Sequence, residues 1–299
     1  MKVLGIVILF ALVSLFSFFL FYKGQERVNI LVLGEAGTNH AGASLTDTII
    51  FTSIAKDSSV LMSIPRDIWY EPTQTKINEI YSMGSFPMVR DIFGRMLNQP
   101  IDAVVVINFD TFIKMVDTLG GLDVNVEGTF DDLQYPIAGK ENDLCNGDLT
   151  YACRYEQLHF DAGWEKMNGE RALKYARSRH AVGDEGTDYA RSRRQQQVIA
   201  AFKTKLMSPD FFLNFSKVKE IVQITKDGLP HDMTKAQIIS LAKILVYPSS
   251  RKASSYVLDG WEKAEGYLYH PVAHYSKLWV LLPAGDTWEG VHQFVASIL

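Results

Sequence analysis

The rhythm of apolar and polar positions changes several times along the chain. Residues 3–22 are apolar without a single charge. From residue 29 onward, short β-favouring runs alternate with stretches of helical period. Residues 29–33, 49–54 and 60–64 read as strands, the last two joined as a hairpin through the turn at 56–59. Residues 34–48, with glycines at 34, 37 and 42, read as a loop. The third strand runs into Ser63-Ile64-Pro65-Arg66-Asp67. Pro65 stops the ladder there and leaves Arg66 and Asp67 at a strand's end, a common place for ligand-binding groups. Helical turns are expected between residue 78 and Gly84, a helix over 88–97 and a strand over 103–108. Residues 110–119 place Phe112, Met115, Val116 and Leu119 on one side of a helix that Gly120 and Gly121 terminate. A strand at 122–126 follows. This alternation predicts an α/β layered fold with helices on both faces of the sheet.

The second half has a different texture. Residues 131–163 read as one long polar loop, of a length that in compact domains is functional or locally stapled. Residues 188–206 lack Gly and Pro and read as a helix. At about 100° per residue, Asp188, Arg191 and Gln195 fall within about 60° of one another. Val198, Ile199, Phe202 and Leu206 extend the same stripe, so one face is charged at its start and apolar at its end. Arg193 lies opposite and suits solvent. Arg191 points toward the core side, which is costly unless something pairs with it. An Arg–Asp ion pair satisfies one such group and leaves Arg177, Arg179 and Arg194 in search of anions. Convergent guanidiniums suit a phosphate or diphosphate, because their fork matches its oxygens. Arg177 and Arg179 would diverge by about 160° on a helix, so they face one ligand only where the chain unwinds or extends. Further on, helices are expected near 211–225, 234–245 and 288–298, with strands near 254–258 and 278–282. His231, His270, His274 and His292 are scattered and read as structural.

Composition narrows the setting. The chain has 299 residues, 47% of them hydrophobic and 21% charged, which is ordinary for a globular protein. A net charge of -4 with clustered basic residues gives no reason to expect a nucleic-acid partner. The uncharged run at 3–22 is long enough to span a bilayer and too long for the apolar core of a cleaved signal. With only Met1 and Lys2 before it, the expected topology is a single-pass anchor with residues from Gly24 onward outside the cell. Cys145 and Cys153 lie eight apart in a polar stretch. Outside a membrane such a pair is expected to form a disulfide, worth roughly 2–3 kcal/mol for so short a loop. No further ligands complete a metal set around them.

Taken together, several segments resemble the LytR-CpsA-Psr family of cell-envelope phosphotransferases. They are Asn29-Ile30-Leu31-Val32-Leu33-Gly34, Thr46-Asp47-Thr48, the Ser63–Asp67 run, Lys76-Ile77-Asn78 and Leu119-Gly120-Gly121-Leu122-Asp123-Val124. YARSRH at 175–180 and DYARSRRQQQ at 188–197 close the series. The resemblance covers about residues 29–206. It implies an α/β/α layered sandwich with a central mixed sheet, preceded by one transmembrane helix. Residues 1–28 would form the tip, anchor and linker, 29–207 the catalytic domain, and 208–299 a segment completing the same fold. It further implies transfer of a glycopolymer from a polyprenyl diphosphate carrier to a peptidoglycan hydroxyl. Arg66, Arg177, Arg179 and Arg191 would hold the diphosphate, with Lys76, Arg194 and Gln195 as further contacts. Asp188 would be the candidate base, and Asp47 a ligand to Mg2+ or Mn2+. The family's usual second Asp is replaced by Ala36, leaving Glu35 as a substitute metal ligand and His40 as a poorer one. The same site with water as acceptor would be a hydrolase. Without turnover it would be a polyprenyl-phosphate-binding regulator.

Overall fold

The computed structural model describes residues 27–37, 45–238, 240, 252–258, 266–271 and 278–299. In chain order its longer elements begin with strands β1 (Arg27–Glu35), β2 (Thr46–Ala55) and β3 (Ser58–Ser63), then helix α1 (Phe86–Leu97). They continue with β4 (Ala103–Asn108), α2 (Phe109–Leu119), β5 (Leu122–Val126), β6 (Phe130–Pro136), β7 (Tyr155–Phe160) and β8 (Gly163–Met167). Helices α3 (Gly169–Arg177), α4 (Asp188–Leu206) and α5 (Phe215–Gly228), strand β9 (Lys252–Val257) and helix α6 (Glu289–Ile298) complete the set.

β1 lies second from one edge of a five-stranded sheet of order β9-β3-β2-β1-β4. It pairs antiparallel with β2 and parallel with β4. β3 runs antiparallel to β2, and β9 joins β3 in parallel. The sheet is therefore mixed, and the C-terminal half supplies one edge. β1 reads as an almost continuous apolar run because both its faces are covered. Leu31 and Leu33 join Phe51 and Met62 beneath α1 and α6, which contribute Val89, Phe93, Met96, Val291 and Val295. Val28 and Ile30 face the other way, toward Val32, Ile54, Val105 and Met233. A second core lies beside the sheet. There α2, α3, α4 and α5 bury Met115, Val116, Leu119, Ala172, Tyr175, Val198 and Ile221 against β5, β6 and β7. Gly120 and Gly121 end α2 in left-handed backbone, φ +85° and +90°, which lets the chain turn straight into β5.

Residues 131–163 are not one loop. β6 and β7 form an antiparallel hairpin, and β8 pairs with β5. The hairpin escapes an alternation rule because its inward positions are Phe130, Asp132 and Tyr135, with a register irregularity between the last two. The connection between β6 and β7 is stapled by a Cys145–Cys153 disulfide, Cα–Cα 5.6 Å, as expected. The helix expected over 211–225 is split. Pro209–Phe212 makes one turn, and Asn214 caps a new start by accepting from the Lys217 N–H. Of the helix expected over 234–245, residues 235–238 and 240 are helical, Thr234 precedes the helix and accepts from the Gln237 N–H, and 239 and 241–245 lie outside the described residues. In the expected strand at 278–282, Leu281 bridges to Ile68, and only Leu282 continues into the Leu282–Pro283 ladder. His231 accepts from the Met233 N–H, while His270 and His292 bond to the Val280 and Arg95 carbonyls. His274, His40 and the apolar run at 3–22 lie outside the described residues. Among the described residues no helix is long and apolar enough to cross a membrane.

Candidate active site

Two cavities open side by side where the ends of β2 and β3 meet the first turns of α4. One, of about 80 Å³, is lined by Arg66, Asp67, Ser63, Tyr189, Ser192 and Trp279 among others. The second, of about 200 Å³, is lined by Phe109, Tyr135, Pro136, Arg177, Arg179 and His180. Asp47, Thr48, Arg191 and Gln195 line both and form the wall between them. The two cavities are lobes of one cleft. Arg66, Arg177, Arg179 and Arg191, drawn from three segments, all reach it. Against these four guanidiniums the described lining offers two carboxylates, Asp47 and Asp67.

Asp47 is there because the β1–β2 ladder is interrupted. Gly34 pairs with Thr48 and Glu35 with Thr46, so Asp47 is the extra residue of a bulge. A bulge re-aims a side chain out of the sheet's alternation. Gly34 permits the close fit, since a Cβ there would lie 2.9 Å from the Thr48 Cβ. The Asp47 carboxylate receives Arg66 Nη1 at 2.5 Å and remains half exposed. Thr46 turns the other way and donates to the Asn78 carbonyl from a buried position.

Arg177 ends α3, and Ser178 continues in extended backbone, φ -52° and ψ 130°. This is the unwinding that the two-residue spacing of Arg177 and Arg179 demands. Arg177 sits 4.0 Å over the Phe109 ring and 5.6 Å from that of Tyr135, and it donates to the Tyr135 hydroxyl at 3.1 Å. Burial pushes the Tyr135 hydroxyl above its usual pKa against the opposing pull of Arg177, so it remains neutral. The segment after Arg177 is tied down by Asp132, a fully buried carboxylate. Asp132 accepts from Ser178 Oγ at 2.6 Å, the Arg179 N–H at 3.1 Å and the His180 N–H at 3.3 Å.

Arg194 does not join the cleft. It is 1% exposed, donates to the Ser178 carbonyl and to Glu185, and stacks over Phe130. Lowered in pKa by burial and supported by Glu185, it braces the Arg-bearing turn from behind. Lys76 is also elsewhere: it pairs with Asp67 at 2.7 Å and steadies the turn after β3. Arg193 faces Glu127 and Glu185, as its position opposite the stripe requires.

The three consecutive glutamines of α4 fan out at helical spacing and fix the helix to four neighbouring elements. Gln195 donates to Thr48 of β2 at 3.1 Å. Gln196 reaches the Tyr256 carbonyl and Ser63 Oγ, and Gln197 accepts from the Tyr175 hydroxyl. Arg191 is buried at the point where the lobes meet, one turn into the helix. Asp188 is the helix's first residue. Asp132, Tyr135, Phe109, Tyr189 and Trp279 were not legible as site residues. Asp132 and Tyr135 fall in the stretch that reads as loop, and single aromatics carry no spacing signal.

The donor set suits a divalent cation only in part. Asp47 presents one carboxylate to the cleft. Glu35 does not line either lobe, and burial pushes its carboxyl above the usual range. Ala36 offers no side-chain donor. Among the described residues the one group of His, Cys, Asp and Glu close enough to hold a metal is Asp143, Cys145 and Cys153, whose sulfurs are bonded to each other. Mg2+ is commonly held by one or two carboxylates together with substrate phosphates and water, so Asp47 with a diphosphate fits it.

A mixed sheet crossed by an Arg-bearing helix, with guanidiniums converging beside a bulged Asp, places the protein in a known class. The chain belongs to the LytR_cpsA_psr family, whose model matches residues 14–277. It is 26% identical over 245 residues to the polyisoprenyl-teichoic acid–peptidoglycan teichoic acid transferase TagV of Bacillus subtilis, covering 79% of this chain and 57% of that protein. The chain thus spans less than two thirds of that relative's length. The crystal structure of B. subtilis TagV superposes with a TM-score of 0.64 at 23% identity, over 93% of this chain and 98% of that one. A structure of TagT bound to LIIa-WTA superposes with a TM-score of 0.60 at 20% identity, over 92% and 91%.

Proposed function

We propose that this chain is a phosphotransferase that moves a glycopolymer from a polyprenyl diphosphate carrier to a hydroxyl of peptidoglycan. One observation carries the reading: Arg66, Arg177, Arg179 and Arg191 line a single cleft whose dividing wall is Asp47, Thr48, Arg191 and Gln195. A diphosphate lying across that wall would place one phosphate in each lobe. The names of the curated relatives, teichoic acid transferases acting between a polyisoprenyl carrier and peptidoglycan, agree with it.

The acceptor hydroxyl attacks the sugar-linked phosphorus, a new P–O bond forms, and the bond to the bridging oxygen breaks to release polyprenyl phosphate. The hydroxyl proton passes to a base, for which Asp188 is the candidate from its place one turn before Arg191. Little covalent chemistry falls to the protein in such a transfer; positioning and charge neutralisation dominate. Arg177, held between two rings, is preorganised for the oxygens that gain charge, and so is Arg191 within its buried position. The positive end of α4 adds to the same field. Asp47 would hold Mg2+ or Mn2+ together with the diphosphate, and the ion would supply neutralisation of the phosphate oxygens. Residues 3–22 would anchor the chain in the cell membrane with this cleft outside.

The test uses a lipid-linked glycopolymer, peptidoglycan and the full chain in detergent. Arg191→Ala is expected to lower covalent attachment by about 100-fold or more while far-UV circular dichroism is unchanged. Undiminished attachment by that variant would remove the proposal. Release of free polymer, with none attached, would assign the cleft to hydrolysis instead.

A further inference from the structure

A third hollow, of about 340 Å³, adjoins the cleft on the outer side of α4. Its walls carry Tyr189, Tyr256, Tyr267 and Phe294, with Arg193 and Ser255 as polar neighbours. Tyr189 and Val257 line this hollow and also the Arg66 lobe, so the two are continuous. Its shape follows from the fold. β9 is an edge strand, and α4 crosses it through the Gln196 bond to the Tyr256 carbonyl. Tyr267 stacks on Phe294 at 4.6 Å, and Tyr256 meets Phe294 edge-on at 5.9 Å, which fixes an aromatic wall. Tyr189 is 55% exposed, a large apolar surface left at the junction with the cleft.

We propose that this groove is a subsite for the neutral glycan strand of the acceptor, a deepening that rests on the transferase reading above. The lining favours sugar over any other part of a substrate. Aromatic faces pack against the C–H faces of pyranose rings, while Ser255 and the rim supply hydrogen bonds for hydroxyl and acetamido groups. The charge balance excludes a polyanion. Among the described residues Arg193 is the one cation on this lining, and Glu127 and Glu185 neutralise it. A diphosphate or an anionic polymer therefore gains nothing here, in contrast to the Arg-rich lobes. Continuity through Tyr189 sets the register: a strand lying in the groove presents one of its hydroxyls to the Arg66 lobe, where the sugar-linked phosphorus is to be attacked.

The probe is the uncharged tetrasaccharide of β-1,4-linked N-acetylglucosamine, titrated onto the full chain in detergent by saturation-transfer NMR. Saturable binding is expected, with transfer to the tyrosine-facing sugar protons. Ser255→Trp fills the groove from an exposed position and is expected to weaken binding by about tenfold. Tyr189→Ala should do the same, with Tyr189→Phe restoring it, because the ring and not the hydroxyl makes the contact. In the transfer assay Ser255→Trp should raise KM for peptidoglycan and leave KM for the lipid-linked donor unchanged. Binding unaffected by both Ser255→Trp and Tyr189→Ala overturns the proposal. So does a rise in donor KM alone, which would give the groove to the donor's sugars. Tetrasaccharide binding is read without turnover, so its failure is distinct from failure of the transferase reading.

Discussion

Asp132 carries more of the site than its place in an acidic pair suggests. One carboxylate, with no solvent contact, gathers the Ser178 hydroxyl and the Arg179 and His180 amides, while its other oxygen takes the Gln134 N–H. A carboxylate so placed accepts only, which is what a row of N–H and O–H donors needs. Asp132→Asn turns one oxygen into a donor among donors. It is expected to cost about 1–3 kcal/mol in urea unfolding and to lower turnover more than donor KM, since Arg179 would lose its fixed presentation. A variant with wild-type stability and turnover would show that the latch positions nothing. Legibility at this scale was uneven. Arg177, Arg179 and Arg191 could be named because guanidiniums in close sequence proximity require anions, and Arg66 from its place at a strand's end and from the family resemblance. Arg194 could not be told from them by sequence, because its anion, Glu185, comes from the turn before α4 and not from a ligand.

Among elements, the β6–β7 hairpin was the one least visible in the sequence, and it frames the Arg177 lobe through Tyr135 and Pro136. Its outer face shows why: Asp131, Gln134 and His159 make it look like loop, and the buried Asp132 breaks the apolar alternation. α4 was legible from start to finish, because a 19-residue run without Gly or Pro leaves little alternative. Asp131 and His159 are direct cross-strand partners, joined at 2.7 Å. The hydrogen bond to Asp131, reinforced by Asp161, holds the exposed His159 imidazole above the usual histidine pKa. A raised folded-state value means that the stabilising contribution is complete below the ordinary pKa, about 6.5, and fades as pH rises through the raised one. The difference in Tm between wild type and His159→Gln should therefore be largest below about pH 6.5 and shrink above it. A difference independent of pH would mean that this pair does not hold the hairpin.

For the whole molecule, the layered α/β plan followed from the order of runs, whereas the pairing of β9 with β3 joins residues nearly two hundred apart and leaves no local trace. β1 starts at Arg27, five positions after Tyr22 ends the apolar run, and its guanidinium reaches Ser53 and the Leu299 carbonyl. Removing residues 1–26 is expected to leave unfolding unchanged but to lower transfer from a bilayer-embedded donor by about a hundredfold, with no loss on a detergent-dispersed donor, because tethering acts through local concentration. Equal rates on both donors would deny the run its anchoring role. The bulge at Asp47 bears on how such a protein loses its chemistry. A shortening of β2 by that one residue would leave Gly34 opposite Thr48 and Glu35 opposite Thr46 in unbroken step, and the cleft would forfeit its acidic wall. On the proposed reading, regularity and reactivity are thus opposed at a single position: deleting Asp47 is expected to keep the sheet, by circular dichroism, and to abolish transfer.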